Sequence, residues 1–175
     1  MIVVSEAFKS WLVGCIGLRL LLVRGLFHVF ESKKNGNPQA VAILFDGKDF
    51  GTFKCAPDSS SIAYSSDVVA ECDLGEFGAE KIFPLESDEA FSSVVGEELN
   101  SVSLILSSVE DSVAGVLLCF GNSECLSFIN LGDELFVYKE IPAEIIKCEG
   151  LEFLKLSGWS EVATYFWPTT DLAVF

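Results

Sequence analysis

Apolar positions recur along this chain with two different periods. Behind Ser5, the residues Phe8, Trp11, Leu12 and Cys15 fall at helical spacing, which predicts a short amphipathic helix over roughly residues 6–15. Residues 18–30 alternate only weakly but turn aromatic and β-branched toward Phe30, and they read as a strand. Residues 32–38, Ser-Lys-Lys-Asn-Gly-Asn-Pro, are the clearest loop. Short apolar runs then follow at 40–45, 50–55 and 62–64, parted by Asp46-Gly47 and Pro57-Asp58, the pattern of a meander. Ile82-Phe83-Pro84 reads as an edge strand, and Asp88 as the cap of a short helix through Ala90, Phe91, Val94 and Val95 that ends near Gly96.

The C-terminal half repeats the strand pattern. Runs at 102–109, 113–120, 125–130 and 135–138 are separated by Glu110-Asp111, Gly121-Asn122 and Gly132-Asp133. Pro142 suits the first turn of a short helix through Ile145 and Ile146, because its missing N–H would be unpaired there anyway. A strand over 151–156 and an aromatic tail, 159–167, are expected to close the core. The class is α+β, rich in strand, with antiparallel meanders in two sheets or one long curved sheet and a few short helices.

Length and composition agree with a folded chain. The 175 residues suit one domain, half are hydrophobic, and mean hydropathy is +0.45. Charge complicates the picture: the net is −15, yet residues 1–37 carry +3 and the remainder −18. Residues 1–37 are thus set apart as a candidate subdomain from an acidic, β-rich body over 38–175. A field of this sign repels nucleic acid and anionic lipid and speeds encounter with basic partners.

Six cysteines form no CxxC pair, and their scattered apolar positions read as reduced core thiols. Cys119 and Cys125 flank the Gly121-Asn122 turn, close enough for a cross-strand disulfide, though the reduced state is preferred. Residues 11–30 are nearly continuous in apolar residues and long enough to raise the question of a bilayer span, but Arg19, Arg24 and His28 interrupt them, so membrane attachment is disfavoured. Leu12-Val13-Gly14-Cys15 looks like a lipoprotein cleavage box without the apolar segment that should precede it. The expectation is no signal peptide and a cytoplasmic protein.

Candidate chemistry is thin. His28, the only histidine, lies between Phe27 and Val29 with no hydroxyl, thiol or carboxylate next to it, and reads as packed or surface rather than as a general base. One histidine and dispersed cysteines do not make a zinc pattern, and the EF-hand and glycine-rich phosphate motifs are missing. Acid pairs such as Glu97-Glu98, Glu110-Asp111 and Asp133-Glu134 admit a carboxylate-based hydrolase, but they sit at turns where acids serve solubility. No enzymatic activity, metal or cofactor is expected.

What remains is the acid itself. Residues 71–98 hold nine carboxylates against Lys81 alone. Such a stretch is either a solvated face that keeps a hydrophobic chain in solution or a recognition surface for a basic groove, with Phe77, Phe83 and Phe91 as apolar anchors. In the second reading Glu76, Glu80, Glu86, Asp88, Glu89, Glu97 and Glu98 bind the partner. Small size, strong acidity and the lack of catalytic motifs resemble the bacterial immunity proteins that neutralise toxins delivered between competing cells. The segments Gly-Val-Leu-Leu-Cys-Phe-Gly-Asn from Gly115 and Phe-Ile-Asn-Leu-Gly-Asp-Glu-Leu-Phe-Val from Phe128 are similar to a strand, turn and strand of uncharacterised bacterial proteins with that role. The resemblance implies a cognate toxin with a basic surface as partner and carries over no binding residue. The alternative is a β-rich protein that houses an apolar small molecule behind its phenylalanines and leucines.

Overall fold

In a computed structural model that describes residues 5–156, Ser5 opens the first element. Its Oγ accepts a hydrogen bond from the Phe8 N–H at 3.2 Å, and helix α1 runs Glu6–Gly14. Phe8, Leu12 and Cys15 are buried on one stripe. Trp11 lies so close over Gly51 that a Cβ there would collide with its indole ring.

The strands form two antiparallel sheets. The first contains β1 (Leu20–Phe30), β2 (Lys33–Lys34), β3 (Ala40–Phe45), β4 (Gly51–Cys55), β5 (Ile62–Ser65), β6 (Cys72–Asp73) and β7 (Ala79–Pro84), in the order β5-β4-β3-β1-β7-β6 with β2 folded back on β1. The second contains β8 (Leu99–Ser107), β9 (Ser112–Phe120), β10 (Cys125–Leu131), β11 (Glu134–Tyr138) and β12 (Leu151–Leu156), in the order β11-β10-β9-β8-β12. Their inner faces enclose one core, where Phe53 of β4 stacks on Phe128 of β10 with centroids 4.9 Å apart. Leu20, Val23 and Phe27 of β1 lie in that core with the residues of the acidic body. On the outer face of the second sheet, α2 (Ala143–Cys148) and Ile141 cover Ile105, Ala114, Ile129 and Phe153.

The sandwich has two distinct ends. At the lower end residues 17–20 hydrogen-bond with residues 96–99, which sews the two sheets together at that corner. The upper end gathers the turns after β4, β8 and β10. There the Ser112 hydroxyl donates to the Ser60 carbonyl at 3.1 Å. The link over residues 66–71 joins strands on opposite edges of the first sheet and begins with a local turn in which the Asp67 N–H donates to Ser65 Oγ at 2.9 Å. The Thr52 hydroxyl holds it by donating to the Asp67 carbonyl at 2.8 Å.

Several expectations need correction. Residues 88–96 form successive turns rather than a helix: Asp88 accepts through its carbonyl from the Phe91 and Ser92 N–H groups, and the pattern then breaks. Two serines, two valines and a glycine at φ 87° are weak helix formers, and burial of Phe91 and Val94 fixes the segment instead. Loop 32–38 begins with a strand pair, because β1 turns back at Glu31-Ser32, both at positive φ, and Lys34 rests over the Phe27 ring at 4.3 Å. Strand β7 is not an edge, since β6 pairs outside it. Cys119 and Cys125 are directly opposed in register and joined by a disulfide. Of the other four cysteines only Cys15 is buried, while Cys72 and Cys148 are exposed. Residues 11–30 are divided between α1 and β1, and no helix among the described residues is long and apolar enough to cross a membrane. The aromatic tail, 159–167, lies outside the described residues.

Candidate functional site

The seven acids singled out in the sequence fall into two groups. Glu80 stands opposite His28 on β7 and Glu76 lies on the single 3₁₀ turn Gly75–Phe77, both toward the upper end. Glu86, Asp88, Glu89, Glu97 and Glu98 belong to the lower connection from β7 to β8. The Glu97 carbonyl accepts from the Leu20 N–H, so Glu97 and Glu80 are separated by the length of β1 between Leu20 and His28, about 26 Å.

The lower group is partly structural. A Glu86 carboxylate oxygen accepts from the Val23 N–H at 3.2 Å. Glu98 sits across from Arg19, whose guanidinium donates to the Gly96 carbonyl at 2.9 Å. Asp88 and Glu89 are exposed on the turns.

The upper group frames an exposed aromatic. Phe77 is 67% exposed, whereas Phe91 is buried and Phe83 packs edge-on against Phe27 at 5.7 Å. Of the three proposed anchors only Phe77 therefore faces outward. Three hydrogen bonds hold its turn. His28 donates through Nε2 to the Phe77 carbonyl at 2.7 Å, the Phe77 N–H donates to the Leu74 carbonyl, and the Leu74 N–H donates to the Gly78 carbonyl. Gly78 holds φ 96° against β1, where a Cβ would collide with the Val29 carbonyl. His28 is thus a support for this corner, with Nε2 committed to a carbonyl rather than to a reacting group.

Acids flank this turn in the chain. Asp73 accepts from the Gly75 N–H at 2.9 Å and Glu71 from the Ile82 N–H at 3.0 Å, so both carboxylates are held in place by backbone. Glu76 and Leu74 are exposed beside them. Among the described residues none of these acids takes part in a salt bridge; the pairs found are Lys9–Glu6 and Lys139–Glu124.

Beside this corner, loop 35–39 and the β10–β11 turn line an open cleft of about 870 Å³ that holds Glu80, Asp133, Glu134 and Lys54. Asn37 bridges it, donating through Nδ2 to Glu134 Oε2 at 2.8 Å. Cys55 opens onto it, but burial first, and then the charges of Asp133 and Glu134, push its thiol up, away from the nucleophilic thiolate. Cys15 is pushed up to about 12 by burial under α1.

Sequence reading missed how strongly the upper end gathers acid. Asp58, Glu110, Asp133, Glu134 and Glu149 come from turns far apart in the chain and meet only because the strands share one up-and-down direction. Each carried the signal of a turn acid, and the topology that unites them was not in any local window. Among the described residues no group of three or more His, Cys, Asp or Glu is placed to hold a metal ion. No family model, curated protein or solved structure matches the chain.

Proposed function

We propose that the protein is an immunity-type inhibitor that binds a cognate toxin with a basic surface. The observation that carries this reading is the upper corner, where an exposed phenylalanine sits on a turn held by hydrogen bonds, next to carboxylates that form no salt bridge among the described residues. Exposed aromatics set in charged rims are where interface energy concentrates. Holding Phe77 in place before binding lowers the ordering cost of association. Glu76 and Glu80 then contact the partner, while Glu86, Asp88, Glu89, Glu97 and Glu98 add to the long-range field that steers it.

The test is capture from lysate of the source cells with tagged full-length chain, followed by association kinetics at two salt concentrations. One stoichiometric basic protein is expected, held by the native chain and lost with Phe77→Ala. Glu76→Lys with Glu80→Lys should slow association by about tenfold at low salt and flatten its salt dependence. A partner that binds Phe77→Ala and the reversed pair with native kinetics would remove this corner from the mechanism.

A further inference from the structure

Cys119 and Cys125 are the last residue pair in the ladder between β9 and β10. Just beyond them the Phe120 N–H donates to the Glu124 carbonyl at 2.8 Å, so the two cysteines occupy a non-hydrogen-bonded position, where antiparallel strands approach most closely. Their Cα atoms lie 4.1 Å apart. Leu118, Phe120 and Leu126 beside them face the core, which places the disulfide on the outer face of the second sheet. Neither cysteine is buried, and surface disulfides are the ones open to exchange with a thiol.

The hairpin tip that follows, residues 121–124, is fastened to the lower connection. The Gly121 N–H donates to the Glu98 carbonyl at 2.9 Å, and Asn122 donates through Nδ2 to the Ser93 carbonyl at 2.6 Å. Within the tip the Ser123 N–H donates to the Phe120 carbonyl and the Glu124 N–H to Asn122 Oδ1. The segment so held is weakly built. Residues 88–96 are successive turns, and Ser93 Oγ is buried with no hydrogen-bond partner in the protein, a cost that local opening to water would relieve. A disulfide between residues six apart closes too short a loop to be a main source of stability, but its place at the base of the tip sets how firmly the tip is held.

We propose that the Cys119–Cys125 disulfide is a redox switch for the order of the lower connection. Oxidised, it holds the tip against Ser93 and Glu98; reduced, it lets the tip and residues 93–98 open locally while the rest of the hairpin stays paired. The co-reactant is a dithiol. One of its thiolates attacks a cysteine sulfur, the S–S bond breaks and the other cysteine leaves as a thiolate; the second thiol of the reductant then displaces the mixed disulfide. Two electrons and two protons pass from the dithiol to the cysteines, which end as thiols, and the reductant ends as a disulfide. The switch is independent of the function proposed above.

The test uses the full-length chain with Cys72→Ser and Cys148→Ser, which removes the exposed free thiols. Amide hydrogen exchange is followed by NMR with and without dithiothreitol, in the absence of denaturant. Reduction of the folded chain is expected to speed exchange of the Gly121 and Glu97 amides about tenfold and to leave those of Val116 and Phe128, in the middle of the hairpin, unchanged. Cys119→Ser with Cys125→Ser should exchange at the reduced rate whatever the reductant. The reduced chain with its own cysteines is read first, so the result stands even if the serine pair does not fold. A bond that dithiothreitol reduces only after the chain is unfolded would overturn the proposal, as would equal exchange at Gly121 and Glu97 in the two redox states. So would acceleration that spreads equally to Val116 and Phe128, the mark of a general loss of stability, or an effect of dithiothreitol that persists in the serine pair.

Discussion

Phe128→Ala tests whether the two sheets depend on one aromatic joint. Phe128 is fully buried, stacks on Phe53 at 4.9 Å and lies 6.3 Å from Phe91, so its ring touches the first sheet and the lower connection at once. Truncating a buried phenylalanine costs about 3–5 kcal/mol through lost transfer and the cavity left behind. The stacking geometry with Phe53 contributes about 0.5–1.5 kcal/mol of that in excess of area. Against a total stability of about 5–15 kcal/mol for a domain, the variant should lose a large share. With a urea slope of about 2 kcal/mol/M, the midpoint should fall by roughly 2 M at unchanged slope. A double-mutant cycle of Phe53→Leu and Phe128→Leu then isolates the pair, and a coupling of about 1 kcal/mol is expected. A loss under about 1 kcal/mol for Phe128→Ala, in the range of ordinary surface changes, would refute the joint.

Two further outcomes follow from local features. The Cys119–Cys125 bond closes a short loop only, so its reduction should cost no more than about 2 kcal/mol and leave the hairpin folded, as read by urea midpoints with and without reductant; complete unfolding on reduction would contradict the register pairing that already holds these strands. Asp58 has a folded pKa below its unfolded one, owing first to the Ser61 N–H, so its contribution is present above the unfolded value and lost as pH falls through the folded one. Asp58→Ala should therefore be less stable than the native chain at neutral pH and converge with it in strong acid, and a pH-independent difference between their urea midpoints would show that the carboxylate is not what stabilises the turn.

Most strands were legible along the chain because the apolar runs are parted by turn signals that survive in the structure. Gly132-Asp133 takes positive φ at both residues, the two-residue turn that its composition asks for, and residues 151–156 pair with β8 along their whole length. Helix α1 was legible through Ser5 and its stripe. Failures came where tertiary contacts outweigh local preference. Glu31-Ser32 carries no strong left-handed signal, yet β1 turns there because Lys33 and Lys34 can pair with its end. Asp88 looked like a cap, but two buried side chains decided the path of 88–96. The disulfide depended on register, which six residues of separation leave open until the hairpin turn is fixed. For the candidate site the sequence identified the acids but not their grouping, because a stretch continuous in the chain is divided between two ends by the length of one strand.

That division gives the two acidic groups unequal roles. The lower connection hydrogen-bonds through Glu86 and the Glu97 carbonyl to β1, so much of its polar capacity is spent on closing the sandwich corner. The upper corner spends Asp73 and Glu71 on its own backbone and leaves Phe77 outward on a turn fixed by His28 and Gly78. Charge alone acts over roughly a Debye length of about 8 Å in physiological salt, so it selects partners by sign but not by shape. An outward aromatic on a hydrogen-bonded turn with acids beside it in the chain selects by both. A partner that seats a hydrophobic contact on Phe77 would be selected by the shape of that contact, rather than by net charge alone.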